Sequence, residues 1–160
     1  MRKLLALPTL AALVVTGVLV SSATGAPNPV VNSATGSGHR ISGGEFRSFS
    51  FSATRYADGT ATGQAQVNVR SLDAFAHIAI DCLTVDGNIA HMSGVVTHTS
   101  DPTVFLPDEQ VHFAVEDNGQ GADEPPDRVT GIPENEPLTC DDELPSSAFN
   151  NIVRGNVRVG

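Results

Sequence analysis

The stretch from Glu45 to Arg70 decides the fold, and it reads EFRSFSFSATRYADGTATGQAQVNVR. Up to Tyr56, Arg, Phe and Ala alternate with Ser and Thr, and from Thr60 onward Ala, Gly and Val alternate with Thr, Gln and Asn. A period of two residues is typical of a strand with one buried face. Because Asp58-Gly59 separates the two runs, the stretch predicts an antiparallel hairpin. The positions predicted to share the inner face are Arg47, Phe49, Phe51, Ala53, Ala61, Gly63, Ala65, Val67 and Val69.

The next part of the chain predicts a second hairpin. An apolar run from Ala74 to Val85 and a returning run from Ile89 to Thr99 flank the turn signal Asp86-Gly87-Asn88. Residues 110–115 then predict a further strand, in which alternate residues are apolar.

Near the C-terminus, two short apolar runs around Gly155-Asn156 predict a closing hairpin. After residue 26, no segment shows an apolar stripe of helical period with caps at its ends. We therefore expect an all-β domain, an antiparallel meander of six to eight strands that forms a small barrel or a sandwich.

The N-terminus has the features of a secretory signal peptide. Arg2 and Lys3 precede an uncharged apolar run from Leu4 to Val20, and small residues follow up to Ala26. A retained membrane anchor is the alternative, but the run is short for a bilayer-spanning helix. We expect cleavage after about Ala26, an extracellular location and no membrane association of the processed protein.

The remaining chain divides into two parts by composition. Residues 27–40 are rich in Pro, Asn, Ser, Thr and Gly, and they predict a flexible N-terminal lead. Residues 41–160 are expected to form a single β-domain, in which 116–146 is a long acidic loop.

The charge of the chain limits its partners. Its 160 residues include 18 Asp and Glu against 9 Lys and Arg, a formal net charge of −9. Such an acidic chain is a poor partner for nucleic acid, whose phosphates must be neutralised by basic side chains. More than half of the acidic residues lie between Glu116 and Glu143, so the acidity belongs mainly to one loop.

Cys82 and Cys140 are the two cysteines of the chain. In an exported protein an isolated pair is normally joined, so we expect a disulfide. The loop that this bond closes is long, and the chain-entropy model gives a stabilisation of about 4 kcal/mol. A redox-active pair is the alternative, but the Cys-x-x-Cys spacing is missing.

The acidic loop has part of the spacing of a calcium-binding loop. Counting from Glu116, a glycine falls at the sixth position, as such loops require. However, Pro125-Pro126 interrupt the loop and no flanking helices are predicted. A calcium-stabilised module is therefore an alternative, and a solvated acidic surface is the favoured interpretation. The candidate calcium ligands are Glu116, Asn118, Gln120, Glu124 and Asp127.

Three histidines are candidate zinc ligands. If the turn after Val85 has two residues, His77 and His98 become neighbours on one face of the hairpin, and His112 on the next strand can join them. A three-residue turn would place His77 and His98 on opposite faces. Histidines exposed on the outside of the sheet are the alternative interpretation.

Signatures of catalysis are missing from the sequence. It contains no Gly-x-Ser-x-Gly elbow, and no spacing distinguishes a Ser/His/Asp set from chance. We expect a secreted non-enzymatic β-domain without a resident cofactor, calcium excepted, that binds an extracellular protein or a small ligand. The alternatives are an extracellular protease inhibitor that presents the Pro-rich segment near Cys140, and a secreted hydrolase.

Two segments of the chain carry a resemblance to known proteins. They are IDCLTVDGNIA at residues 80–90, with Gly94-Val95-Val96 after it, and VEDNGQG at 115–121, with Pro126-Asp127 after it. Over about residues 40–160 the chain resembles small exported bacterial β-rich proteins and domains of uncharacterised function. The resemblance implies a compact antiparallel β fold outside the cytoplasm, and it carries over no catalytic residue.

Overall fold

The computed structural model describes residues 27–121, 123–131 and 138–160, so the predicted signal peptide at 1–26 lies outside the described residues. Within them, eight antiparallel strands pair in chain order, and the first strand also pairs with the last. The sheet therefore closes, which confirms the all-β meander and decides for a barrel. The strands are β1 (Val30–Ser42), β2 (Glu45–Tyr56), β3 (Ala61–Val69), β4 (Ala74–Asp86), β5 (Ile89–Thr99), β6 (Gln110–Glu116), β7 (Arg128–Thr130) and β8 (Phe149–Val159).

The predicted hairpins are present. Asp58-Gly59 lies in the turn between β2 and β3, and Gly87 and Asn88 form a two-residue turn between β4 and β5. Alternate residues of the strands face the interior, where they form one apolar core. This core includes Phe51, Ala53, Ala65, Val67, Val69, Ile78, Ile80, Leu83, Met92, Val111, Phe113, Val115, Val129, Ile152 and Val157.

The prediction of a flexible lead at 27–40 is wrong, because most of that segment belongs to β1. This strand pairs with β2 from Val30 to Ser42 and with β8 from Ala34 to Arg40. Its inward positions include Gly36 and Gly38, where neighbouring side chains fill the space. A Cβ on Gly36 would lie 2.9 Å from the Phe51 ring, and one on Gly38 would lie 2.8 Å from Ile152. The strand thus lacks the apolar alternation that would have revealed it.

The predicted closing hairpin at Gly155-Asn156 is also wrong, because β8 runs through these residues as one strand. Gly155 has a φ of +124° and lies opposite Gly38 of β1. A Cβ at this position would clash with the backbone of β1 at Ser37. The glycine therefore marks a close approach of two strands rather than a turn.

The strand connections give the barrel two different ends. The end that we call the upper end carries the Gly43-Gly44 turn, a short 3₁₀ helix at Arg70–Leu72 and the loop at 100–109. The lower end carries the Asp58-Gly59 turn, the Gly87-Asn88 turn and the loop at 117–127. Most of the first half of the acidic loop is thus at the lower end.

A disulfide joins Cys82 of β4 to Cys140, with a Cα–Cα distance of 5.7 Å, which confirms the predicted pair. Unbroken alternation from Ile78 and Ile80 would place Cys82 on the core face, but an irregularity between Ile80 and Cys82 shifts the register and turns Cys82 outward. The bond holds residues 138–145, which we call the strap, against the outside of the barrel. Thr84 donates a hydrogen bond to Asp141 of the strap at 3.1 Å.

None of the helices in the described part of the chain is long and apolar enough to cross a lipid bilayer.

Candidate functional site

Two arginines lie next to each other near the upper end of the barrel. Arg40 of β1 is directly opposite Arg47 of β2. Arg47 has the same strand parity as the core residues Phe49 and Phe51, and Arg40 is 5% exposed, so both side chains belong to the inner face. Like charges directly opposite on paired strands destabilise a sheet.

Neither arginine has a carboxylate partner among the described residues, where the ion pair that is found joins Arg128 to Glu116. The Nη1 atom of Arg40 and the Nε atom of Arg47 are buried without a hydrogen-bond partner. Burial, followed by the charge of Arg47, lowers the pKa of Arg40 to about 10. Arg40 therefore stays positively charged at neutral pH, and buried charges of this kind are normally paired.

The interior contains a small cavity beside Arg40. Its volume is about 30 Å³, which is room for one or two water molecules or a small anion. The walls are mostly apolar and include an edge-to-face pair, Phe51 and Phe113, with ring centroids 6.0 Å apart. The cavity is lined mainly by Arg40, Phe49, Phe51, Ile78, Phe113 and Thr130.

A larger cleft of about 390 Å³ lies at the upper end, between the Arg70–Leu72 helix and the loop at 100–109. Six of the nine residues that line it are apolar, although about half of the lining surface is polar, and Leu72 and Leu106 are 51% and 59% exposed. Arg47 contributes a cation to this cleft, and Glu109 contributes a carboxylate. The volume is within the range of about 300–1,000 Å³ that is usual for small-molecule sites.

The loop at the lower end uses its acidic side chains for backbone contacts. Asp127 is buried, and its two carboxylate oxygens accept hydrogen bonds from the amides of Asn118 at 2.8 Å and Val157 at 2.9 Å. Asp117 accepts one from the amide of Val159 at 3.1 Å. These contacts attach the loop to β8.

Four of the five predicted calcium ligands lie in this loop and Glu116 ends β6, but several of their oxygens already have partners within the protein. Glu116 pairs with Arg128, Gln120 accepts a hydrogen bond from Arg158 at 3.4 Å, and Asn118 accepts one from Asn88 at 3.3 Å. Glu124 packs near Gly119 and Gly121. Across residues 27–121, 123–131 and 138–160, no three His, Cys, Asp or Glu side chains converge to hold a metal ion. Thermal melting with calcium and with a chelator is the test of the calcium alternative.

The structure brings together two of the three predicted zinc ligands. His77 and His98 are directly opposite on the outer face of β4 and β5, with ring centroids 6.0 Å apart. His112 lies opposite Ser93 instead, and its ring stacks on His91 at 5.7 Å.

Arg40 could not be recognised as a site residue from the sequence, because it lies at the end of the stretch whose composition predicts a flexible lead. The alternating pattern placed Arg47 on the inner face but gave it no role. The usable signal was the charge itself, since an arginine at an inward position of an alternating strand requires a partner.

No family model, curated protein or solved structure matches the chain. The class of the protein therefore follows from its own architecture, a closed eight-stranded antiparallel barrel that carries two arginines on its inner face at one end. The resemblance to small exported β-rich proteins stays a prediction. The Pro-rich segment of the protease-inhibitor alternative lies largely in 132–137, outside the described residues.

Proposed function

We propose that this protein is a secreted, non-enzymatic β-barrel that binds a small, largely apolar molecule in the cleft at its upper end. The observation that carries the proposal is the cleft itself, with six apolar residues in its lining, among them the exposed Leu72 and Leu106. Exposed apolar side chains around a concavity are typical of ligand sites.

The size of the two spaces indicates where a ligand would lie. The interior cavity of about 30 Å³ is too small for more than a small group. The cleft of about 390 Å³ accommodates the body of a small molecule. A ligand therefore places its apolar body between Leu72 and the loop at 100–109, and only one end of it approaches the barrel interior.

Secretion is supported by the signal-like segment at 1–26 and by the disulfide, which is typical of oxidising compartments. The absence of catalytic signatures from the sequence supports a binding role rather than an enzymatic one.

Backbone amide shifts of the exported, processed protein test this proposal, with hexanol and benzyl alcohol as neutral probes. We expect saturable shifts that centre on Leu72, Val104 and Leu106. Leu106→Asp places a charge in the cleft, so it should abolish the shifts. The matched control Val153→Asp changes an exposed apolar residue on the outside of β8 and should leave them intact. Shifts that are scattered over the outer surface, or equal in both variants, would reject the cleft as the site.

A further inference from the structure

We infer that Arg40 and Arg47 form an anion site between the cleft and the barrel interior, and that the ligand is an amphipathic monocarboxylate. That the ligand has an apolar part rests on the proposed function, whereas the anion site is argued from the two arginines alone.

The two arginine side chains lie close to each other and near two different spaces. Arg40 lines the interior cavity, Arg47 lines the cleft, and the two residues are directly opposite on neighbouring strands. Residues opposite each other on antiparallel strands have Cβ atoms about 5 Å apart. A single anionic group between the two guanidinium groups is therefore within reach of both side chains.

The described residues supply no negative charge that pairs with the two arginines. Arg40 is almost fully buried, and no carboxylate of the described residues pairs with it or with Arg47. Glu109 lines the same cleft as Arg47 but forms no ion pair with it, and it accepts a hydrogen bond from the amide of Leu106 at 3.4 Å. Glu45, beside the upper-end turn, accepts a hydrogen bond from Ser71. An unpaired buried charge is costly, and an anionic ligand removes that cost.

The chemistry of the two arginines favours a carboxylate as the anion. A planar carboxylate matches the two parallel N–H groups of a guanidinium, and its single charge suits a small cavity with apolar walls. Thr130 lines the same cavity, and its hydroxyl oxygen accepts a hydrogen bond from the amide of Ala114 at 2.9 Å. A phosphate dianion is larger and needs more donors than these residues supply.

Calorimetric titration of the exported protein with hexanoate, hexanol, acetate and inorganic phosphate tests the inference. Because charge-assisted hydrogen bonds exceed neutral ones, we expect hexanoate to bind about tenfold or more tightly than hexanol. Arg40→Met and Arg47→Met should reduce hexanoate affinity about tenfold, so that the preference for hexanoate over hexanol is lost. Arg154→Met, on the exposed outer part of β8, is the matched control and should change neither.

The outcomes separate the inference from the proposed function. Equal binding of hexanoate and hexanol would overturn the anion site and leave the apolar cleft intact. Binding of acetate without hexanol would support the anion site and reject the apolar cleft. Phosphate that binds more tightly than hexanoate would overturn the carboxylate assignment. If Arg40→Met fails to fold, Arg47→Met and the protection of the wild-type protein against heat by hexanoate decide the question.

A carboxylate of the protein itself is the remaining competitor, and Glu134 and Glu136 follow Gly131 in the sequence. A Cβ on Gly131 would lie 3.7 Å from the Arg40 guanidinium. The double variant Glu134→Gln/Glu136→Gln should bind hexanoate as the wild type does. A gain of about tenfold or more in this variant would mean that an internal carboxylate occupies the arginines, and it would overturn the inference.

Discussion

His112 is an ionisable side chain that the barrel buries on its outer face. It is 1% exposed, and neither ring nitrogen has a hydrogen-bond partner within the described residues. The ring stacks on His91, and the strap lies nearby, since Asp142 of the strap interacts electrostatically with His112. Burial, followed by the charge of His91, lowers the pKa of His112 from 6.5 to about 4, although Asp142 acts in the opposite direction.

This shift predicts how stability depends on pH. The unfolded state binds a proton on His112 near pH 6.5, whereas the folded state binds one only near pH 4. Above pH 6.5 the imidazole is neutral in both states, so it does not affect stability. As the pH drops from 6.5 toward 4, the unfolded state takes up the proton first, and the free energy of unfolding therefore falls. We expect the free energy of unfolding in urea to decrease by about 2–3 kcal/mol over this range because of this group.

The variant His112→Gln should lose this part of the pH dependence and show a flatter profile between pH 6.5 and 4. The matched control is His98→Gln, since His98 is exposed on the outer face of the barrel and has no comparable burial. Equal pH slopes in the two variants would contradict the assignment of the acid sensitivity to His112.

Among the structural elements, β7 and β8 are mismatched in length. The three residues of β7 pair only with Phe149 to Asn151, so the later part of β8 has no strand on that side. The carboxylates of Asp127 and Asp117 take its place by accepting hydrogen bonds from the amides of Val157 and Val159. Two carboxylate side chains thus provide the hydrogen-bond acceptors that a neighbouring strand would otherwise supply.

The variant Asp127→Ala should lower the free energy of unfolding by about 2–4 kcal/mol, because it leaves two backbone amides without an acceptor and removes charge-assisted hydrogen bonds. Denaturant unfolding measures this loss. Asp123→Ala, an exposed position of the same loop, is the control and should change stability by less than about 0.5 kcal/mol. Similar losses in both variants would mean that the loop contributes only through its net charge.

The strands that could be predicted from the sequence are those with one buried face and one solvent-exposed face. β2 satisfies this condition in its middle and β3 over most of its length, and Asp58-Gly59 gives the turn that joins them. β1 does not, because its inward glycines fit between side chains that other strands supply. Those neighbours are distant in sequence, so local periodicity contains no trace of them.

The candidate site was hidden for a related reason. Arg47 was placed correctly on the inner face, but its partner Arg40 belongs to the strand that local patterns missed. The cleft depends on the loop at 100–109 lying against the Arg70–Leu72 helix, and sequence spacing gives no information on that contact. The disulfide could be predicted because composition alone left one possible pair.

Across the whole molecule, acidic side chains lie at both ends of the barrel, whereas Arg40 and Arg47 lie on its inner face. The lower end carries the acidic residues of the loop at 117–127, while Arg40 and Arg47 lie near the upper end. The remaining acids of the C-terminal part that the structure describes, Asp141, Asp142 and Glu143, lie on the strap outside the barrel. The upper end also carries acidic side chains, at Glu45, Asp73, Asp101, Asp108 and Glu109, but none of them forms an ion pair with Arg40 or Arg47.

The strap and the barrel are joined by the disulfide, yet the barrel closes through strand pairs in which the strap takes no part. The double variant Cys82→Ser/Cys140→Ser should therefore keep the far-UV circular dichroism of the β-barrel. It should lose about 4 kcal/mol of unfolding free energy, which is what the chain-entropy model gives for a loop of this length. Near-complete loss of the β signal would instead mean that the strap is needed for closure.

The same variant tests whether the strap shields His112 from solvent. Once the strap is released, the imidazole gains access to water, the desolvation that lowers its pKa is relieved, and the pKa returns toward 6.5. The pH dependence that His112 imposes between pH 6.5 and 4 should then become flatter, as in His112→Gln. Combining both changes should flatten it no further, because the two act on one group. An unchanged acid slope in the disulfide variant would show that β5 and β6 alone shield the ring, and the covering role of the strap would have to be abandoned.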